Sequence, residues 1–265
     1  MSVDPSAVIH PQALIEDGAT IGAGASVGPF SIIGAGVTLG PRVEVKSHVV
    51  VTGHTDVGED TVIFPFASIG EVPQDLKFDG EETRLHIGAR NRIREHVTMN
   101  TGTAGGGGET RVGDDGLFMA GCHVAHDCII GDRVIVVNNS AVAGHCHVED
   151  DVIIGGLSGI HQWVRIGRGA IIGALSMVTN DVVPYGLVTG PRAELDGLNL
   201  VGLKRKGVAR ADIQALRVAL LTLKQGEGTF HERAVRLGEE TQSDYVRRMV
   251  AFITGATDRS FLVPK

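Results

Sequence analysis

Five of the eleven histidines fall between residues 123 and 161: His123, His126, His145, His147 and His161. Histidine changes charge near neutral pH and is the usual side chain for general base work. His126 is followed directly by Asp127, and a carboxylate beside an imidazole can orient it and support its protonated form. Gly144 and His145 follow 18 residues after that pair, and a glycine N–H can donate to a developing oxyanion. No serine or cysteine is placed to act as a nucleophile, so direct transfer is simpler than a covalent intermediate. Two other readings compete. His123, His126, His145 and His147 could hold zinc with one position open for water, as in a metal-dependent hydratase. Alternatively the polar cluster only lines an interface of a non-catalytic scaffold.

The elements that must position these residues are set by a period of six. From Val112 to Val178 every sixth residue is apolar, through Phe118, Val124, Ile130, Val136, Val142, Val148, Ile154, Ile160, Ile166 and Ile172. An earlier run goes from Ile9 through Ile15, Ile21, Val27 and Ile33 to Ile69. Neither a helix nor a simple strand repeats every six residues; a hexapeptide parallel β-helix does. Three hexads make an 18-residue coil, and coils stack at strand spacing, roughly 4.8 Å. Residues 18 apart therefore lie one above another: His126 with Gly144 and Gln162, and Asp127 with His145 and Trp163. Small residues four after the aliphatics, such as Ala19 and Ala25, should point inward, and the three cysteines (Cys122, Cys128, Cys146) occupy such places. They read as buried free thiols, which favours a reducing compartment. Glycines after the aliphatics (Gly22, Gly28, Gly34, Gly40) read as corners that need permissive backbone.

The pattern lapses at 71–86 and again at 102–111, which includes Gly105-Gly106-Gly107-Gly108. Both read as loops carried on the solenoid, the usual place for binding residues. The residues before the aliphatics should face outward; Leu117, Ile135, Ile153 and Ile171, like Leu14, Ile32 and Val50, make an apolar stripe that points to subunit contact. Five histidines (His10, His48, His54, His86, His231) have no evident partner in the sequence. After Gly190-Pro191 the periodicity becomes helical, with helices expected near 210–225, 230–240 and from Ser243, a possible N-cap, to Thr254. The domain reading is thus 1–190 solenoid and 191–265 helical.

Charge divides at the same place. Residues 1–190 carry 11 Lys/Arg against 22 Asp/Glu, whereas 191–265 carry 13 against 9. A basic tail on an acidic body fits an anionic ligand or an acidic protein. Four aromatics in the tail give little support to stacking on nucleic acid. No apolar stretch reaches the ~18 to 20 residues of a membrane span, and the N-terminus lacks the pattern of a secretory signal, so a cytoplasmic protein is expected.

Taken in order, several segments resemble the bacterial UDP-N-acetylglucosamine acyltransferases that start lipid A synthesis. They are Lys46-Ser47-His48-Val49-Val50-Val51, Ala67-Ser68-Ile69-Gly70-Glu71, Gln74-Asp75-Leu76-Lys77, Arg90-Asn91-Arg92-Ile93-Arg94-Glu95, His123-Val124-Ala125-His126-Asp127, Ala143-Gly144-His145, Ile160-His161-Gln162 and Gly202-Leu203-Lys204-Arg205. The resemblance implies an all-β, left-handed parallel β-helix with a small C-terminal α-helical domain, although crossover rules alone would favour the opposite hand. It also implies a homotrimer with sites between subunits, no cofactor and no metal. The implied reaction carries a 3-hydroxyacyl group from acyl carrier protein to the 3-hydroxyl of UDP-N-acetylglucosamine. His126 would be the base, Asp127 its support and the Gly144 N–H the oxyanion donor. Asp75, Lys77, His123, His145, His161 and Gln162 would place the sugar nucleotide. Asn199 and Arg205 would serve the pantetheine arm and phosphates, and Ala174 would be the acyl-length ruler. Val201 departs from the family, whose studied members carry an acidic residue there. Acyl length, and a choice between the hydroxyl acceptor and its 3-amino analogue, stay open. The sibling N-acyltransferases carry an extra N-terminal domain, whereas repeats here begin by Ile9.

Overall fold

The computed structural model describes residues 2–255, 257 and 259–264. Each hexad forms a two-residue strand and a tight corner, and the strands assemble into three sheets of nine, eleven and nine members. The result is a left-handed parallel β-helix of triangular section. The first face runs from Ser2–Val3 to Arg165–Ile166, the second from Val8–Ile9 to Ile171–Ile172, and the third from Leu14–Ile15 to Met177–Val178. Pairing is parallel and in register at 18-residue steps, as in Leu117↔Ile135↔Ile153↔Ile171. The six-residue aliphatics are the core: Val124, Val136, Val142, Ile154, Ile166 and Ile172 are fully buried. β-Branched side chains suit such short, packed strands, and burying each one stabilises by about 1.5–3 kcal/mol. The three cysteines are free and buried, as expected.

Corners differ from the glycine-based expectation. Left-handed backbone occurs at other residues, among them Phe30, Arg42, His48, Asp60, Phe66, Asp127, His145 and Trp163. Gly22 and Gly28 instead lie against the next coil, where a Cβ would sit 2.7 Å from the Gly40 carbonyl carbon and 2.8 Å from that of Lys46. Close approach, not dihedral freedom, requires glycine there.

The left-handed residues stack into three columns of different chemistry. Between the first and second faces runs a charged ladder in which Arg42 meets Asp60, Arg90 meets Asp115 and Arg133 meets Asp151. Between the second and third faces Phe30, His48, Phe66 and His96 stack with centroids 5.0 to 5.3 Å apart. His48 therefore has partners, and so do His86 (Asp56, 3.1 Å) and His54 (Glu82, 3.9 Å). The third corner, between the third and first faces, holds Asp127, His145 and Trp163.

Both insertions leave from this third corner, in adjacent coils. Ser68–Glu71 is followed by Arg84–Ile87 and Thr98–Asn100 by Glu109–Val112. The strand after the first insertion pairs directly with His54–Val57, the next lower strand of the first face. The first insertion thus lengthens one corner rather than occupying a coil of its own.

The outward apolar residues form two stripes, not one. Leu117, Ile135, Ile153 and Ile171 lie on the second face, half-buried, while Leu14, Ile32 and Val50 lie on the third. The upper end of the second-face stripe runs toward the tail: Ile153 lines a cavity with residues of α1 (Leu200–Arg205), and Leu187 lines one with residues of α2 (Arg210–Lys224).

Beyond the coils, Gly186–Thr189 pairs antiparallel with Glu194–Leu198 and closes the second sheet. Then come α1, α2, α3 (Phe230–Glu240) and α4 (Asp244–Thr254). Thr229 and Glu232 form a capping box on α3. Ser243 stands at the N-cap position of α4, but its hydroxyl donates to Asp212 Oδ1 at 2.7 Å, tying α4 to α2 instead of capping it. Asp181, fully buried, anchors the C-terminal segment: it accepts from the Arg165 N–H and Nε (2.9 and 2.7 Å) and from Thr257 Oγ1 (3.2 Å).

Candidate active site

The third corner brings His126, Asp127, Gly144 and His145 together from consecutive coils. Asp127 takes φ 59° and His145 φ 61°, a region in which Asp and His are tolerated better than most side chains. The His126 Nδ1–H donates to Asp127 Oδ2 at 2.7 Å, with both side chains buried. That tautomer leaves Nε2 as the acceptor, the atom a general base uses. Gly144 packs against the same ring: a Cβ there would lie 2.5 Å from His126 Cε1 and 2.6 Å from Nε2. The corner geometry gives the Gly144 N–H no acceptor among the described residues.

His145 stands edge-on to His126, with centroids 4.9 Å apart and planes at 87°. Its other side lies flat on Trp163, with centroids 3.8 Å apart and planes 4° apart. Burial pushes the His145 imidazole below the ordinary histidine range; Asp127 pulls it the other way, and His126 adds to the lowering. Asp75 and Lys77, on the first insertion, lie within electrostatic range of His145. The Lys77 N–H donates to Asp75 Oδ1 at 3.0 Å, which turns the loop tip. His123 faces outward on the third face, where its Nδ1 lies 2.7 Å from Thr98 Oγ1, and burial lowers it too. His161 and Gln162 are exposed one coil above Gly144, His161 Nδ1 donating to the Gln162 carbonyl at 3.1 Å.

Three expected residues lie elsewhere in this chain. Ala174 is exposed at the second corner. Asn199 N-caps α1: Oδ1 accepts from the Gly202 N–H at 2.9 Å and Nδ2 donates to the Gly169 carbonyl at 3.0 Å. With Arg205 it lines a cavity of about 200 Å³ bordered by Asp151 and Gly169 of the first corner. Val201 is exposed on α1.

One atom each from His126, Asp127 and His145 falls within a 4.8 Å span that suits a metal's ligands. His147 does not join them; it faces outward on the first face beside Ile129 and Arg165. The Asp127 oxygens are already engaged by hydrogen-bond donors, which accounts for the cluster without a metal. One neighbour of this site, Thr103, has no sequence signal of its own, and the contact made by a second, Trp163, shows only in the fold. Thr103 donates to Asp127 through both its N–H and its hydroxyl, each at 2.7 Å. The seven-residue insertion that carries it breaks the 18-residue spacing. Trp163 obeyed that spacing, but only the fold shows its ring flat on His145.

Comparison with known proteins places the chain among acyltransferases. A family model described as UDP N-acetylglucosamine O-acyltransferase, domain 2, matches residues 181–262, and one described as bacterial transferase hexapeptide (six repeats) matches 18–53 and 145–180. The chain is 64% identical over 203 residues to the acyl-[acyl-carrier-protein]–UDP-N-acetylglucosamine O-acyltransferase of Paracoccus denitrificans, covering 77% of each. It is 48% identical over 211 residues to the enzyme of that name from Rhizobium johnstonii, covering 79% of this chain and 78% of that one. Among solved structures, the UDP-N-acetylglucosamine acyltransferase from Campylobacter jejuni superposes with TM-score 0.91 at 36% identity, over 97% of this chain and 100% of that one. A buried histidine–carboxylate pair on a hexapeptide solenoid, joined to a matching C-terminal segment and to relatives this close, makes the chain an acyltransferase that belongs to the UDP-N-acetylglucosamine O-acyltransferase family.

Proposed function

We propose that the protein transfers a 3-hydroxyacyl group from acyl carrier protein to the glucosamine 3-hydroxyl of UDP-N-acetylglucosamine, the first step of lipid A biosynthesis, with His126 as general base. The names of its relatives supply the substrates. The observation that carries the mechanism is the buried His126–Asp127 hydrogen bond with the unengaged Gly144 N–H beside it. Nε2 of His126 takes the proton of the sugar hydroxyl as its oxygen attacks the thioester carbonyl carbon. Asp127 supports the imidazolium that forms. The carbonyl oxygen becomes an oxyanion toward which the Gly144 N–H donates. Collapse breaks the carbon–sulfur bond, and the departing thiolate takes the proton back from His126. The ester, the regenerated imidazole and the carrier thiol balance the reaction.

Asp75, Lys77, His145, His161 and Gln162 ring this corner as the sugar-nucleotide contacts, and His123 lies just outside it. Asn199, Arg205 and Ala174 sit at other corners. Their proposed roles toward pantetheine, phosphates and acyl length require that a neighbouring copy bring them to His126, which supports a homotrimer with sites between subunits. The solenoid of residues 1–190 carries the chemistry, and the basic segment 191–265 suits the acidic carrier protein. No helix among the described residues is long and apolar enough to cross a membrane; we place the enzyme in the cytoplasm with its carrier-bound donor.

The test is acyl transfer from a series of 3-hydroxyacyl carrier proteins to UDP-N-acetylglucosamine, wild type against His126→Ala. Product from the wild type, nearly abolished in a still-assembled variant, supports the reading, and the preferred donor sets the acyl length. Wild-type turnover by His126→Ala removes the base. No product with any donor moves the assay to the 3-amino acceptor.

A further inference from the structure

We propose that Thr103 is a positioning residue that commits the Asp127 carboxylate to His126 rather than to His145. The inference rests on the general-base reading above and deepens it. Both imidazoles present Nδ1 to the same carboxylate oxygen: His126 Nδ1 lies 2.7 Å and His145 Nδ1 3.5 Å from Asp127 Oδ2. The Asp127 side chain is fully buried, so water is not there to fill its remaining acceptor sites. Left to these two histidines, the carboxylate could turn about its Cβ–Cγ bond and share itself between them. Thr103 removes that freedom. Its backbone N–H donates to Oδ1 at 2.7 Å and its hydroxyl to Oδ2 at 2.7 Å. Two donors from one residue, one on each oxygen, set the plane of the group, and the lone pair left on Oδ2 points at His126. Hydrogen bonds to an ionised acceptor are among the stronger ones in proteins.

Thr103 is itself held. Its carbonyl accepts from the Gly106 N–H at 3.0 Å, closing the short turn Ala104–Gly106. The next residue, Ala104, donates its N–H to Glu81 Oε1 at 3.1 Å, which joins the second insertion to the first. The Ala104 N–H, and after it those of Asp79 and Glu81 itself, hold the Glu81 carboxyl below the usual carboxylate range. Gly106 packs on Asp127 so closely that any side chain at 106 would overlap the carboxylate. The glycine-rich insertion is thus a clasp over the carboxylate: glycine at 106 lets it close, and threonine at 103 does the holding.

Thr103→Val keeps the shape and the backbone N–H and loses the hydroxyl donor; Thr103→Ser restores that donor. The experiment measures kcat and the KM for UDP-N-acetylglucosamine for both, alone and in an Asp127→Asn background, with His126→Ala as the reference. Expected is a fall in kcat of about ten- to hundredfold for Thr103→Val, the scale of a lost hydrogen bond to a charged group, with KM within about threefold. Thr103→Ser should recover most of the loss. In Asp127→Asn, Thr103→Val should cost less than about threefold more, because residues that act as one unit are not additive. Wild-type kcat for Thr103→Val, failure of serine to rescue, or an undiminished loss in the Asp127→Asn background would each overturn the proposal. If His126→Ala is inactive while Thr103→Val is fully active, Thr103 alone is wrong. If His126→Ala keeps wild-type kcat, the base reading and this one fall together.

Discussion

Gly144 lies against the edge of the His126 imidazole, so that a β-carbon on residue 144 would stand 2.5 Å from Cε1. Only glycine leaves the ring in place, because the ring cannot retreat without disturbing the bond that its Nδ1 makes to Asp127. Gly144→Ala is therefore expected to reduce kcat at least about tenfold by tilting His126, and Gly144→Val to do worse. Melting should change less than turnover, since the fully buried aliphatics Val124 and Val142 that hold these coils are untouched. The check is kcat beside thermal unfolding for each variant. Equal losses of both would count against a role in the reaction.

His145 and the sole tryptophan, Trp163, stack nearly parallel. A protonated imidazole on the indole face should quench its emission, and the cation–π contact should favour this geometry. Burial holds His145 below its ordinary value of 6.5, so quenching should appear in acid with a midpoint under that value. The sign for stability follows. A histidine depressed in the fold binds fewer protons than in the unfolded chain, so its contribution is intact above about 6.5 and is lost as pH falls through the folded value. His145→Asn should remove the fluorescence transition. A transition that survives in that variant would assign it to another group.

Asp181 is expected to be the most costly single carboxylate to remove from the solenoid's upper end. It is fully buried, and its carboxylate satisfies Arg165 and Thr257, whereas its bonds to Ser260 and Leu262 are backbone ones that the substitution leaves. Asp181→Ala leaves the Arg165 guanidinium without its buried partner, a loss of about 3–5 kcal/mol. Denaturant unfolding followed by helix signal should show it. A loss under about 1 kcal/mol would mean that water replaces the carboxylate.

The grouping of His126, Asp127 and His145 within a metal-sized span sets a direct contrast between two chemistries. Acyl transfer by the dyad should be unchanged after dialysis against a chelator, and purified protein should hold far less than one zinc per chain. Stoichiometric zinc, with activity lost on chelation and restored by zinc, would favour the hydratase reading instead.

Much of the architecture was legible because the repeat has a period matching one physical unit. A six-residue spacing with β-branched aliphatics at Val124, Val142 and Ile160 can close into coils but cannot form a helix, and the 18-residue stack of His126 on Gly144 follows by arithmetic. Gly22 and Gly28 are not the left-handed corner residues, since the spacing locates corners without saying which residue of a corner turns left-handed. The apolar residues divide similarly: Leu14 and Leu117 share an outward direction but stand on different faces, because fourteen strands separate them and a coil holds three.

By itself the sequence determined the coil, the inward residues, the helical tail, and the pairing of residues one coil apart. These depend on local spacing and on the exclusion of apolar side chains from water, which act on every repeat alike. Only the tertiary structure decided that both insertions rise from the corner that holds Asp127. Only it showed that Thr103 closes on that carboxylate, that Trp163 lies flat on His145, and that Asn199 spends its amide on capping α1. The Thr103–Asp127 contact joins segments at an irregular separation, and the 18-residue step from His145 to Trp163 sets their column but not the angle of their rings. Their direction is set by the rotation of the chain around the solenoid and by which hydrogen-bond partner lies within reach, quantities that no spacing along the chain encodes.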